Sequence, residues 1–461
     1  MSDRYDAIII GSGQGGMPIS RELAQAGWRT AQVEQLHVGG TCINDGCTPT
    51  KTMYNSGRVA YLARRARDYG VADGSVEVDM AAVRRRKQRV VDSFRSGDEK
   101  RIEQQEHEEL VRGHASFLAP DRIQVNQGGA SRELTAKTVI IDVGARPSRP
   151  PIEGLDQVDA LTSTTILELD ELPEHLLVVG GGYVGVEFAQ MFRRFGSRVT
   201  ILQRGPSLMP REDGDVCDGV LQVLREDGIE VVLDVNTDRL EKTADGAIQA
   251  QTKTPQGGRS FTGSHVLLAA GRTPNTGDLG LDEAGIETDE AGFIKVNDRL
   301  QTNVPNVYAI GDAKGGPQFT HISYDDYRVL RDNLLHDGNA SIKGRLVPYT
   351  MFTDPQLGRV GLTEKEAREQ GRNIKVAKIP MTYVARAIEM DETRGFMKAV
   401  VDADTEEILG FAALAVEGGE LMAMVEIAMV GKVRYPVLRE GIFAHPTLAE
   451  SLNTLFTSFE S

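Results

Sequence analysis

The sequence predicts an α/β protein of several domains, and three observations lead to this fold class. The chain has 461 residues, more than one hydrophobic core usually organises, so about three domains are expected. An apolar strand runs into a glycine-rich turn twice, at residues 11–16 and again at 180–185. After Asn333 this pattern ends, and strands and helices follow in a mixed order that predicts a further, α+β domain.

The first glycine turn predicts a nucleotide-binding unit. It follows the apolar strand Ala7–Ile10 and precedes a helical stretch. Gly11 permits the tight turn, Gly13 lets the backbone approach a diphosphate, and Gly16 lets the helix pack on the strand. The free amides of a helix N-terminus bind anions. Glu34 ends the next strand, where a carboxylate can accept hydrogen bonds from a ribose diol.

The second glycine turn has the same arrangement. Leu176–Val179 precedes Gly180, Gly182 and Gly185, and a helical stretch then leads to the strand Val199–Leu202. One such turn is a weak signal, because glycine-rich loops have many uses. Two copies, each between a strand and a helix, predict two Rossmann-like dinucleotide-binding domains.

Charge and composition limit the partners and the location. The formal net charge is −15, which argues against non-specific binding to nucleic acid or to an anionic membrane surface. The basic run at 84–87 is interpreted as a solvated helix face. No apolar stretch approaches the ~20 residues that span a bilayer. Because no signal-peptide pattern is present either, a cytoplasmic location is expected.

Two of the three cysteines carry the most specific signal. Cys42 and Cys47 are separated by four residues and can close a small disulfide loop. Lys51 and a helix N-terminus would lower a thiol pKa and favour the reactive thiolate. Metal ligation and two inert core thiols are the alternatives. A zinc site needs more ligands than cluster here, so no metal site is predicted and redox use is favoured. Cys217 is expected to be an ordinary packed thiol.

The order and spacing of these motifs resemble those of the flavoprotein disulfide reductases. This is the class I pyridine nucleotide-disulfide oxidoreductase family, which includes glutathione reductase, dihydrolipoamide dehydrogenase and mercuric reductase. The resemblance extends over essentially the whole chain. It implies an FAD-binding domain at 1–150 with a return segment at 273–340, an NAD(P)H-binding domain at 151–272, and a C-terminal α+β dimerisation domain at 341–461.

The resemblance also implies roles at the redox centre. Cys47 would be the flavin-side thiolate, and Cys42 would be the interchange thiol that attacks the substrate. Lys51 would pair with Glu187 beside the flavin. Tyr183 would be the aromatic flap on the nicotinamide side.

Further flavin contacts follow from the same resemblance. The segment 302–312 resembles the family's second FAD motif, with Asp312 on the ribityl chain, and 113–115 resembles a segment whose backbone contacts adenine. The implied flavin-binding residues outside the first glycine turn are Glu34, Gly40, Thr41, Lys51, Ala115, Gly271, Gly311 and Asp312. One linker strand departs from the family, because Asp142-Val143-Gly144 follows it where relatives usually have Ala-Thr-Gly.

A histidine and a glutamate near the C-terminus form a second candidate catalytic group. Glu450 follows His445 by five residues. Such a carboxylate can orient a histidine acid–base and fix its tautomer. In the family this pair comes from the other subunit and protonates the leaving thiol. The resemblance therefore implies a homodimer with a shared active site.

The cofactor and substrate residues are predicted from position. Gln203-Arg204 stands where an NAD-specific protein would place a ribose-binding acid. Arg204, assisted by Arg211, can pair with a 2′-phosphate, so NADPH is favoured over NADH. Arg21 and Arg328 fall where glutathione reductase has glutathione-contacting arginines, and they are the candidate substrate residues.

The sequence therefore predicts an FAD-dependent disulfide reductase that passes electrons from NAD(P)H through Cys42 and Cys47 to a small disulfide. One alternative is a mercuric- or cupric-ion or oxidant-response reductase of the same family, and another is dihydrolipoamide dehydrogenase. A regulatory protein that binds both cofactors without turnover is disfavoured, because Cys42, Cys47, His445 and Glu450 form a complete set.

Overall fold

The computed structural model describes residues 3–72, 74–254 and 257–459. The chain divides into two compact units, each assembled from three segments. The first unit draws on residues 1–53, 81–148 and 271–345, and the second on residues 54–80, 149–270 and 346–461.

A seven-stranded sheet forms the centre of the first unit. Asp3–Ile10 pairs in parallel with Thr30–Glu34 on one side and with Ala130–Ile141 on the other. Ile8 and Ile9 alternate between the two faces, yet both are fully buried, as expected for a parallel strand covered on both sides. The other strands of this sheet are Glu108–Arg112, His114–Ala119, Arg122–Gln127 and Val307–Ala309.

Three strands of this sheet end at segments that matter for binding. Gly11 follows Asp3–Ile10, Asp142 follows Ala130–Ile141, and Ile310 follows Val307–Ala309. Ligands of open α/β sheets bind beyond the carboxyl ends of parallel strands. The helices around this sheet are Gly16–Gln25, Gly40–Asn44, Cys47–Arg64, Met80–Glu103 and Thr320–Leu335, and Ala145–Pro147 pairs with Arg272–Pro274 beside it.

The second unit contains a four-stranded parallel sheet that opens with the same strand–turn–helix arrangement. His175–Val179 pairs with Arg198–Leu202 and with His265–Leu268, and Glu230–Val232 forms one edge. The helices beside it are Tyr183–Phe195 and Gly214–Glu226. A three-stranded antiparallel sheet is formed by Asn236–Lys242, Ile248–Thr254 and Gly257–Gly263.

The C-terminal part of the second unit is a five-stranded antiparallel sheet with helices. Its strands, in spatial order, are Tyr349–Met351, Gln356–Gly361, Ile408–Ala415, Phe396–Asp402 and Ile374–Pro380. Its helices are Glu364–Glu369, Ala385–Glu389, Gly418–Val430, Tyr435–Glu440 and Ser451–Leu455. The helix Tyr435–Glu440 ends where Gly441 adopts extended backbone.

These elements confirm the predicted fold class, with two dinucleotide-type sheets, one mixed and one parallel, and a C-terminal α+β region. Within the described residues, no helix is both long enough and apolar enough to cross a bilayer.

Candidate active site

The first glycine turn forms a backbone cradle. Gly11 has φ +101°, and an ideal Cβ there would lie 2.2 Å from the Asp142 carbonyl oxygen. On Gly16, an ideal Cβ would lie 2.6 Å from the Gly11 carbonyl oxygen. No side chain fits at either position, so the turn stays open above the N-terminus of Gly16–Gln25. Such a terminus suits a diphosphate, and the residues present therefore fit a dinucleotide.

The predicted ribose and adenine residues lie beside this turn. Glu34 is buried at the end of its strand, and its carboxylate accepts hydrogen bonds from the Ser12 N–H at 3.1 Å and the Ser12 hydroxyl at 2.6 Å. The Gly113 N–H donates to the Glu34 carbonyl at 3.0 Å, which brings buried Ala115 to the same edge. The positions of Glu34 and Ala115 suit the ribose and adenine of one nucleotide half of a dinucleotide.

The second predicted flavin turn lies in the same unit. Gly311 has φ +63°, and its N–H donates to Asp326 at 2.9 Å. The Asp312 carboxylate lies 3.4 Å from Arg272 Nε. Burial raises the pKa of Asp312, and the charges of Arg272 and Lys314 oppose that rise. Gly271, at φ +109°, precedes this arginine.

The two predicted redox cysteines are brought together as a hydrogen-bonded pair of thiols. Cys42 lies in the short helix Gly40–Asn44, and Cys47 is the first residue of Cys47–Arg64. The hydrogen bond to Cys47, followed by burial, raises the pKa of Cys42 above its ordinary value, while Lys51 lowers it. Two thiols that share a proton in this way ionise one at a time. A helix N-terminus stabilises a thiolate, so Cys47 is placed to carry the negative charge.

Two contacts at the cysteine pair were not predicted from the sequence. The Thr320 hydroxyl lies 3.1 Å from Cys47 Sγ. Thr320 is the first residue of the helix Thr320–Leu335. Gly40 has φ +58°, and an ideal Cβ there would lie 2.9 Å from Gly13 Cα. The cysteine segment therefore packs directly on the first glycine turn, with Thr41 exposed beside it.

The second glycine turn repeats the cradle in the second unit. Gly180 has φ +115°, and an ideal Cβ on Gly185 would lie 2.2 Å from the Gly180 carbonyl oxygen. Gly182 caps the helix Tyr183–Phe195 in extended conformation. The Gln203 side chain accepts a hydrogen bond from the Gly181 N–H at 2.9 Å, so a neutral amide occupies the end of the closing strand.

Tyr183 is held by groups that the sequence did not reveal. Its hydroxyl donates to Glu212 Oε1 at 2.7 Å and lies 3.2 Å from the Tyr349 hydroxyl, which also bonds to Glu212. Arg359 pairs with the other carboxylate oxygen at 3.3 Å. Burial and then the Glu212 charge raise the pKa of Tyr183. Glu187 accepts the Phe352 N–H at 2.7 Å, and its pairing with Lys51 stays a prediction.

The four predicted arginines occupy different settings. Arg204 and Arg211 are exposed and form no ion pair within the described residues. Arg328 is 57% exposed, lies 3.9 Å from Asp325, and sits over the Tyr324 ring. Burial raises the pKa of Glu108, and Arg21 opposes that rise. The substrate roles of Arg21 and Arg328 stay predictions.

The histidine–glutamate pair forms as predicted. His445 Nδ1 lies 3.0 Å from both carboxylate oxygens of Glu450, which precedes the helix Ser451–Leu455. The His445 side chain is 73% exposed, whereas that of Glu450 is only 22% exposed. The carboxylate holds the proton on Nδ1 in the neutral ring, which leaves Nε2 for proton exchange.

Comparison with known proteins decides the family. Residues 5–326 match the pyridine nucleotide-disulphide oxidoreductases, and residues 347–456 match the dimerisation domain of that family. The chain belongs to the pyridine nucleotide-disulphide oxidoreductases. It is therefore a flavoprotein oxidoreductase of the disulfide reductase type, which uses FAD and a pyridine nucleotide.

Relatives in this oxidoreductase family include several activities. The chain is 38% identical over 459 residues to the probable pyridine nucleotide-disulfide oxidoreductase RclA of Escherichia coli K12, with 99% of each chain covered. It is 35% identical to a mercuric reductase of Lysinibacillus sphaericus, covering 99% of this chain and 83% of the other. It is 34% identical to a dihydrolipoyl dehydrogenase of Thermus scotoductus, covering 97% of this chain and 96% of the other.

A solved structure supports the same assignment. The Cu(II) complex of the HOCl-induced flavoprotein disulfide reductase RclA from Escherichia coli matches with a TM-score of 0.90 at 38% identity, and 99% of each chain is covered. The family-level prediction is confirmed, as is the prediction of an enzyme.

Proposed function

We propose that this chain is a homodimeric, NADPH-dependent FAD enzyme that reduces a small disulfide through Cys42 and Cys47. The observation that carries the proposal is the hydrogen-bonded thiol pair, with Cys47 at a helix N-terminus. Lys51 lies one turn along that helix and adds positive charge. These features stabilise a thiolate on Cys47. The thiolate is the reactive form of a cysteine in disulfide exchange.

Disulfide exchange then follows from the roles of the two sulfurs. Cys42 gives its thiol proton to His445 of the partner subunit, and the resulting thiolate attacks one sulfur of the substrate, forms a mixed disulfide and expels one thiolate. His445 of the partner subunit gives that sulfur a proton. The Cys47 thiolate attacks Cys42, releases the second substrate thiolate and closes the Cys42–Cys47 disulfide. Bound FAD supplies the two-electron transfer between nicotinamide and cysteines.

A homodimer suits the C-terminal region of the chain. This region matches the family's dimerisation domain, and it exposes Ile427, Val430 and Ile442 at 72%, 69% and 103%. Apolar side chains exposed to this degree favour burial against a second copy. His445, exposed in one copy, would then complete the thiol site of the other. A reducing, cytoplasmic compartment suits cysteines that serve as a redox pair.

Replacing Cys47 with serine tests the thiolate assignment. Anaerobic titration of the purified flavoprotein with NADPH should produce a long-wavelength thiolate-to-flavin absorption band in the wild type. Cys47→Ser should lack it, because a serine hydroxyl does not ionise here. Cys217→Ser is the matched control, since buried Cys217 donates to the backbone carbonyls of Met209 and Glu212, and it should keep the band. A band that persists in Cys47→Ser would refute the assignment.

The preference for NADPH rests on Arg204 and Arg211, with Gln203 as a neutral neighbour. Arg204→Ala should raise KM for NADPH about 10- to 100-fold and leave KM for NADH unchanged, because one charge-assisted hydrogen bond to the 2′-phosphate is lost. Steady-state kinetics with both cofactors measure this. Arg198→Ala, which removes a 70%-exposed arginine from the preceding strand Arg198–Leu202, is the control. An equal rise in KM for NADH and NADPH would contradict the role of Arg204 in binding the 2′-phosphate.

Reduction of a metal ion is the second candidate function. It is favoured by the likeness to RclA, which has been solved with Cu(II), and to mercuric reductases. Two thiols that can both ionise are also suitable soft ligands. No group of three or more histidine, cysteine or carboxylate side chains suited to hold a metal occurs among the described residues. A metal ion would therefore be handled as a substrate.

A further inference from the structure

Asp142 is a buried carboxyl group directly beneath the first glycine turn. It follows the strand Ala130–Ile141, and its N–H donates to the Ile10 carbonyl at 2.8 Å. Only 6% of the residue is exposed. Its Oδ2 atom accepts the N–H of Gly16, the first residue of the helix Gly16–Gln25, at 2.7 Å. The carboxyl thus uses an amide of the helix end that would hold the cofactor diphosphate.

The same carboxyl contacts glycines from both flavin turns. Ideal Cβ atoms on Gly13 and Gly16 would lie 2.7 and 2.9 Å from Asp142 Oδ2. One on Gly311 would lie 2.7 Å from Asp142 Oδ1. The carboxyl therefore fills the space between the two turns. An alanine at this position would place no polar atom there.

The charged groups around Asp142 do not neutralise it. The pKa of Asp142 is raised well above its ordinary value by burial, and Asp312 and Asp326 raise it further, while the Gly16 and Gly15 amides oppose the rise. The nearby cations form ion pairs with those other acids. Lys314 and Arg345 lie 3.2 and 2.7 Å from Asp326, and Arg272 lies 3.4 Å from Asp312.

We propose that Asp142 couples the binding of FAD to one proton: the neutral carboxyl accommodates the diphosphate at the shared helix end, and the carboxylate repels it. Two anions at one buried site are disfavoured. Bound FAD therefore raises the pKa of Asp142 above that of the flavin-free protein. Affinity is full below the flavin-free pKa and falls as the pH rises through the interval between the two values.

The coupling of FAD binding to one proton limits how steeply the FAD dissociation constant can change with pH. One proton gives at most a tenfold rise in the FAD dissociation constant per pH unit within that interval. Outside the interval the dissociation constant should not depend on this group. Because the quantity measured is flavin binding, the proposal can fail while the disulfide reductase function stands, and the reverse also holds.

Flavin release from the purified holoenzyme tests the proposal. Fluorescence of released FAD, followed from about pH 5 to about pH 10, should give a rising dissociation constant for the wild type and a flat one for Asp142→Asn. The asparagine oxygen still accepts the Gly16 N–H but carries no charge. Glu34→Gln, which changes another acid of the same cradle, should weaken binding but keep the wild-type slope.

A second variant guards against misfolding of the first. Asp142→Ala places a small apolar side chain at this position and should also give a flat profile. The proposal is overturned if Asp142→Asn or Asp142→Ala keeps the wild-type slope. It is overturned equally if both variants lose FAD more readily than the wild type at every pH, because the carboxyl would then contribute binding.

Discussion

Cys42→Ser should lower kcat/KM for any disulfide substrate by a factor on the order of 10⁴ or more, while FAD remains bound. Cys42 provides the attacking sulfur, and a serine hydroxyl has neither the acidity nor the nucleophilicity to replace it. The pKa of Cys42 is raised chiefly by its hydrogen bond to Cys47, so removing that thiol frees Cys47 from the shared proton. Cys47 should then ionise at the helix N-terminus without any competition.

This gives Cys42→Ser a spectrum opposite to that of Cys47→Ser. The oxidised variant should show the long-wavelength thiolate-to-flavin band before any NADPH is added. Its intensity should fall as the pH is lowered through the pKa of Cys47. Assays with a disulfide panel and absorption spectra of the oxidised protein measure the two results. If Cys42→Ser still reduced disulfides while lacking the band, the two cysteine roles would be reversed.

The sequence predicted most of the cofactor framework because glycine is required there by backbone geometry. Gly11 and Gly180 have φ angles of +101° and +115°, and side chains at Gly16 and Gly185 would collide with carbonyl oxygens. Such requirements are local, so they leave a readable spacing in the chain. The cysteine pair and the pair of His445 and Glu450 were predictable for the same reason, because their members lie within five residues of each other.

The contacts that were missed join residues distant in the chain. Thr320 and Cys47 are 273 positions apart, and Glu212 and Tyr349 are 137 apart. No local periodicity connects such residues, since tertiary packing alone brings them together. In the sequence, Asp142 stands out only as a departure from the family pattern. Its place between two glycine turns depends on how three strand ends meet at one sheet edge.

His445→Ala should lower disulfide turnover by about 10²- to 10⁴-fold, because the leaving sulfur loses its proton donor. Where the wild type reduces Cu(II) or Hg(II), that activity should persist in the variant, since a reduced metal ion leaves without a proton. Glu450→Gln should have a smaller effect, because the amide oxygen still accepts the Nδ1 proton but no longer stabilises the charged ring. The control is His336→Ala, which changes an exposed histidine at the end of another helix.

Mixing two inactive variants distinguishes a shared site from one formed within a single chain. Cys42→Ser and His445→Ala homodimers should each lack disulfide reductase activity. In a mixed dimer, one site combines both defects, and the other combines an intact Cys42 with His445 of the partner subunit. Random re-association should therefore restore about a quarter of the wild-type activity, because half of the dimers are mixed and each has one intact site. No recovery after verified exchange of subunits would show that His445 acts within its own chain.

Loss of metal-ion reduction in His445→Ala would instead show that the histidine supports electron delivery itself, since no leaving sulfur is protonated in that reaction.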